Sequence, residues 1–299
     1  MWLWAAIASA VFLGVYEVIK KEASGSNSVL NVLLYATAIG AMFFVPFALS
    51  AVCGWNWFEG SIFQMEKGTA TDHLIVFGKS LIVTVSWISG LYGLKNLPIT
   101  IVGPLKATRP VFILIGSILI YGEHLNGLQW AGILISMTAL FMLSISSRRE
   151  GVSFIHNKWI GCMAVSVLFG VVSALIDKKI MTWMSPMFVQ AWCNIYIAAL
   201  LALLTLFYKL KGSPVYEKLN RDWTIVLIAL FLTISDFLYF FSLTDSQSMI
   251  SIVSMLRRCS VVVTFILGAM VFKEKNLKAK GFELVLMLVG AALLVFASQ

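Results

Sequence analysis

Apolar residues run in windows of about 20 along almost the whole chain, separated by short polar segments that carry most of the charge. A helix of that length spans the ~30 Å hydrocarbon core at ~1.5 Å per residue, so the pattern predicts membrane-crossing helices. Ten windows can be delimited, at 2–19, 29–50, 74–94, 98–120, 128–146, 159–176, 187–207, 223–243, 248–272 and 280–297. The longest connections, 51–73 and 209–222, have no apolar periodicity of the kind an extramembrane domain needs. The first window lacks a charged n-region and a small-residue cleavage site, and Lys20 and Lys21 follow it, so it reads as a retained helix. The expected fold class is an all-α membrane protein with its backbone polar groups satisfied inside helices.

Composition excludes the soluble classes. With 60% hydrophobic and 12% charged residues and a mean hydropathy of +0.92, the chain cannot wrap a core in a polar surface. A net charge of +8 would suggest nucleic acid in a soluble protein, but here topology claims the basic residues first. Connections after odd-numbered windows hold fourteen Lys and Arg, counting Lys280 at the boundary of window ten, and those after even-numbered windows hold three: Lys67, Lys178 and Lys179. The odd connections are therefore expected in the cytoplasm and both termini outside, as in a multi-pass protein of a bacterial inner (cell) membrane. The expected surroundings are lipid bilayer and not nucleic acid, and a homodimer is compatible with the pattern.

Five cations remain inside the windows: Lys79, Lys106, Arg109, Arg257 and Arg258. Lys79 lies within two turns of a window end and is expected to snorkel to the interface. The other four lie eight to eleven residues into windows four and nine, near the midplane, where each costs about 2.5 to 3.5 kcal/mol on insertion scales. Lys106 and Arg109 share a helix face with Gly103 and Thr100, and Ser251, Ser254 and Arg258 make a similar stripe. Two cation-bearing stripes imply a small basic chamber, and guanidinium groups suit a bidentate grip on phosphate or carboxylate oxygens. Neighbouring helix residues point about 100° apart, so one of Arg257 and Arg258 is expected to face the chamber fully.

The two halves of the chain repeat. "LKATRPVFILIGSILIYGEHL" aligns without a gap on "LRRCSVVVTFILGAMVFKEKNL", matching Leu105 with Leu256, Lys106 with Arg257 and Glu123 with Glu274. "FLGV" at Phe12 to Val15 corresponds to "LFGV" at Leu168 to Val171. Five spans is an odd number, so the second copy enters the membrane the opposite way round, and the expected halves are 1–147 and 148–299. Such 5+5 inverted repeats place a substrate near the midplane between the halves.

Pro110, then Gly122, Glu123, Leu125, Gln129, Trp130 and Gly132, on ten spans arranged as five plus five, resemble the drug/metabolite transporter superfamily in its EamA-like branch. The resemblance covers the whole chain and implies a transporter scaffold without fixing a substrate. Locally, the Lys106 to Phe112 stretch and the Arg257-Arg258 pair are similar to the phosphate-binding stretches of the triose-phosphate/phosphate translocators. Arg109 stands where those proteins have Glu, and Arg257 where they have Lys, so the positive charge is kept or raised.

Against an anion site stands the possibility that intramembrane acids neutralise these cations. Asp236, Glu17 and Glu283 are the candidates, and only Asp236 is at matching depth, which leaves about three charges uncompensated. Asp236 is expected either to pair with Arg258 or to carry a proton, and Glu17 is a further coupling or pairing candidate. Tyr239, Ser235 and Asn194 are candidate cavity-lining partners. The four Cys lack C-x-x-C spacing, the three His lie in separate connections and seven of the ten Trp mark window ends, so no metal, cofactor or ligand cage is expected. The leading reading is a non-enzymatic exchanger of a small organic anion. The alternatives are a proton-coupled exporter of amino acids or drugs, and a lipid-phosphate flippase or membrane enzyme, the last without a visible nucleophile.

Overall fold

The computed structural model describes residues 1–23, 29–55, 57–97, 102, 105–145, 158–211, 223–272 and 277–298. The helices within them are α1 (Trp2–Ala23), α2 (Val29–Cys53), α3 (Ala70–Asn96), α4 (Arg109–Tyr121), α5 (Gly127–Ile145), α6 (Lys158–Ile180), α7 (Pro186–Leu210), α8 (Thr224–Leu243), α9 (Ile250–Arg258), α10 (Ser260–Phe272) and α11 (Leu277–Phe296). Seven segments among them are long and apolar enough to cross a membrane, with Ile250–Gly268 of α9 and α10 counted as one. The shorter apolar stretches Gly127–Leu143 and Gly281–Phe296, and the window that ends in α4, bring the architecture to ten spans.

The packing has the symmetry that an inverted repeat requires. Spans one and six are repeat mates, as are three and eight, and α1 packs on α8 while α6 packs on α3. Likewise α1 packs on α9 and α10 (span nine), and α6 on α4 (span four). The remaining mates meet across the two-fold itself: α2 on α7, α4 on α9 and α5 on α11. Lipid is as apolar as leucine, so these crossings are held by close approach and hydrogen bonds. Ser9 Oγ donates to the Ser235 carbonyl at 2.8 Å and Ser235 Oγ to the Ser9 carbonyl at 2.9 Å. At the α3/α6 crossing, Ser86 and Ser166 make the same reciprocal clasp at 2.7 Å each way.

Span nine breaks at Cys259, between α9 and α10, and α9 is buried on every side, with Ile250 to Leu256 all inside. The fourth span breaks at Thr108, just before α4, where Pro110 removes an N–H. Glu123 anchors the start of α9: its carboxylate accepts from the Ile250 N–H at 2.6 Å, from the Ser251 N–H at 3.3 Å and from the Ser251 hydroxyl. One end of the bundle is covered by a segment in which residues 54, 55 and 57–69 form neither helix nor strand. It turns at Gly54 and Gly60, with φ of 69° and 74°. The Phe63 ring stacks on Phe237 at 5.6 Å, and Gly68 lies so close to the Phe188 ring that a Cβ would be 2.2 Å from it.

Candidate functional site

The two broken spans fail at the same position of the repeat. In the ungapped alignment Thr108 corresponds to Cys259, and Arg109 to Ser260, the first residues of α4 and α10. Both breaks are single tight turns, with Thr108 N–H donating to the Leu105 carbonyl at 3.3 Å and Cys259 N–H to the Leu256 carbonyl at 2.9 Å. Two helical segments thus begin inside the membrane, at Arg109 and Ser260, beside Lys106, Arg257 and Arg258.

A chain of charges crosses four helices there. Arg257 of α9 pairs with Asp236 of α8, and its guanidinium carbon lies 4.3 Å from the centre of the Tyr239 ring. Tyr239 is buried and donates its hydroxyl to Asp177 Oδ2 of α6 at 3.3 Å. Asp177 Oδ1 in turn lies 3.1 Å from Lys79 Nζ of α3, with the two side chains 7% and 3% exposed. Lys79 also sits 4.9 Å above the Phe240 ring and 3.5 Å from Cys193 Sγ.

Lys79 therefore does not snorkel. The capping box of Thr69 and Asp72 starts α3 at Ala70, four residues before the apolar window, which puts Lys79 deeper than the window implied. Asp177 was missed for the complementary reason: α6 runs on past residue 176 to Ile180 and carries the carboxylate inward. Asp236 takes Arg257, and not Arg258, as its partner.

Three cations are differently placed. Arg109 Nη2 donates to the Gly170 carbonyl at 2.7 Å, while its Nε is buried without a hydrogen-bond partner. Gly170 makes this possible, because a Cβ there would stand 2.8 Å from the guanidinium carbon. Its repeat mate Gly14 is pressed the same way against Ser260, the mate of Arg109, with a Cβ position 2.8 Å from the Ser260 carbonyl oxygen. Arg258 is within electrostatic reach of Glu17, Arg257 and Tyr239, and Lys106 within reach of Lys20, Arg258, Glu17 and Arg109. Glu17 accepts a hydrogen bond from Thr264 of α10 at 3.0 Å. Among the described residues, no carboxylate lies within ion-pair distance of Lys106, Arg109 or Arg258.

The hydroxyls of the polar stripe on span nine are taken up by packing and local hydrogen bonds. Ser251 is held by Glu123 at the start of α9, Ser254 is buried on the same helix, and Thr100 lies outside the described residues. Ser235 is spent on the clasp to Ser9, whereas Asn194 lines a narrow pocket with Thr37, Gly40, Thr233 and Asp236. Among the described residues, no three His, Cys, Asp or Glu side chains are placed to hold a metal ion.

A sequence profile described as the EamA-like transporter family matches the chain twice, over residues 1–145 and 157–296. No curated protein matches it in sequence. A crystal structure of another protein shares the fold end to end, with a TM-score of 0.71 at 16% identity over 99% of this chain and 96% of the other.

Proposed function

The chain belongs to the EamA-like transporter family, and from that premise we propose that it is a secondary transporter of a small organic anion, phosphorylated or carboxylated, worked by alternating access of its two halves. The observation that carries the reading is the trio Lys106, Arg109 and Arg258, gathered at two interrupted helices and without a carboxylate at ion-pair distance among the described residues. An anion there would accept charge-assisted bonds from these ammonium and guanidinium groups. Proton-coupled export through Asp236 is the weaker reading, because Asp236 and Asp177 each already neutralise a cation. The reading includes a cell-membrane location with both chain ends outside, which a reporter fused to the C-terminus checks directly.

The test is a thermal-shift screen of the purified protein against phosphorylated metabolites, dicarboxylates, nucleotides and amino acids. A ligand stabilises by RT ln(1 + [L]/Kd), so a substrate stands out from non-binders. Arg258→Gln and Lys106→Gln should each weaken the best ligand about ten- to a hundredfold, the size of a lost charge-assisted contact of about 1.5 to 3 kcal/mol. Stabilisation by cationic or neutral compounds alone, or full affinity in both variants, would sink the anion reading.

A further inference from the structure

A groove opens on the outer side of the α2/α7 crossing, between Asn31, Leu34 and Tyr35 of α2 and Thr205, Leu206 and Lys209 of α7. None of these residues belongs to the charge network. On each helix the spacing is three and four, so the two stripes face each other across the groove. Asn31 and Thr205 form a polar floor, 4% and 7% exposed, and Tyr35 and Leu206 form walls that are 45% and 51% exposed. The wall on α7 continues into Leu203, Phe207 and Leu210, all exposed and apolar, the surface that meets acyl chains in a bilayer. Asn31 is the third residue of α2 and Lys209 lies in the last turn of α7, so the groove ends at headgroup depth. Lys209 is exposed at that end, and Lys211 follows, stacked on Phe207 at 4.4 Å.

A groove open to hydrocarbon excludes water and is filled by whatever the membrane supplies. An apolar wall, a polar floor and a cationic rim together match an amphiphile with a negative head. We propose that this groove binds one anionic phospholipid, with its phosphate at Lys209 and an acyl chain laid over Leu206 and Tyr35. A cation at an anionic membrane surface contributes enough to change retention about fivefold, and the apolar wall adds to it.

Native mass spectrometry of the full chain released from detergent tests this, with phosphatidylglycerol, phosphatidylcholine and inorganic phosphate as probes. The wild type should retain one phosphatidylglycerol in preference to phosphatidylcholine, and excess inorganic phosphate should not displace it. Lys209→Gln should lower that retention about fivefold or more. Leu206→Trp, which fills the groove from a lipid-facing position, should remove one bound lipid while leaving the melting temperature in detergent alone unchanged. Equal retention of phosphatidylcholine, displacement by free phosphate, or unchanged lipid counts in both variants overturns the proposal. So does a lipid-free dimer cross-linked through Leu206→Cys, which would assign the groove to a second copy of the chain.

Discussion

Arg257 and Arg258 are adjacent in sequence and meet different surroundings, because consecutive helix residues diverge by about 100°. Arg257 turns toward α8 and is neutralised by Asp236, while Arg258 turns toward the Glu17 side of α1. Lys79 and Asp177 are a buried pair of a different kind, where removing one partner strands the other. Lys79→Met alone, or Asp177→Asn alone, should therefore destabilise by about 3 to 5 kcal/mol, read as a lower melting temperature in detergent. The double variant Lys79→Met/Asp177→Asn should recover most of that loss, since no isolated charge remains. A double variant no more stable than the singles would show that the pair does more than cancel itself. The central cations were legible in the sequence because a charge inside an apolar window is conspicuous. Asp177 was not, because a hydropathy window ends where charge begins, and the helix does not.

The same limit operates on whole elements. Apolar windows located the spans, since span length is fixed by the bilayer, but hydropathy is blind to a single tight turn inside an apolar run. Pro110 hinted at the break before α4, whereas nothing in "VSMLRRCSVVV" marks the one at Cys259 except its alignment with Thr108. Close crossings are hidden for a related reason, because a glycine in a window shows no partner. Gly290 of α11 faces Gly132 of α5, and a Cβ on it would lie 2.2 Å from Ser136 Oγ and 2.8 Å from the Gly132 carbonyl oxygen. Gly290→Ala must push the two helices apart, with an expected loss of about 1 to 3 kcal/mol. Gly281→Ala on the same helix meets nothing within 4 Å and should be neutral or stabilising by up to about 1 kcal/mol. Thermal melts of the two variants side by side check this, and equal effects would mean that α5 and α11 do not cross as tightly as described.

For the whole molecule the governing fact is that nearly every strong helix contact joins one half to the other in two-fold-related pairs. In the proposed alternating access, such a carrier would exchange one set of crossings for its two-fold-related set, and the charge at the axis would travel through both arrangements. Lys79 and Arg257 carry their own counter-charges, but Lys106, Arg109 and Arg258 face Glu17 as the acid in reach of the first and last of them. Turning over empty would occlude this excess positive charge in a low-dielectric passage, a penalty of several kcal/mol per uncompensated ion. The proposed anionic substrate would supply the missing charge and lower that barrier, so the loaded carrier should turn over much faster than the empty one. In proteoliposomes, uptake of a labelled anionic ligand identified by thermal shift should be fast into vesicles preloaded with the same compound. It should be slow into empty vesicles, and an imposed pH gradient should stimulate it little. Uptake that is equal into empty vesicles, driven by the pH gradient and abolished by Asp236→Asn, would replace exchange by proton coupling and would make the Asp236 to Arg257 pair the element that opens when a proton arrives.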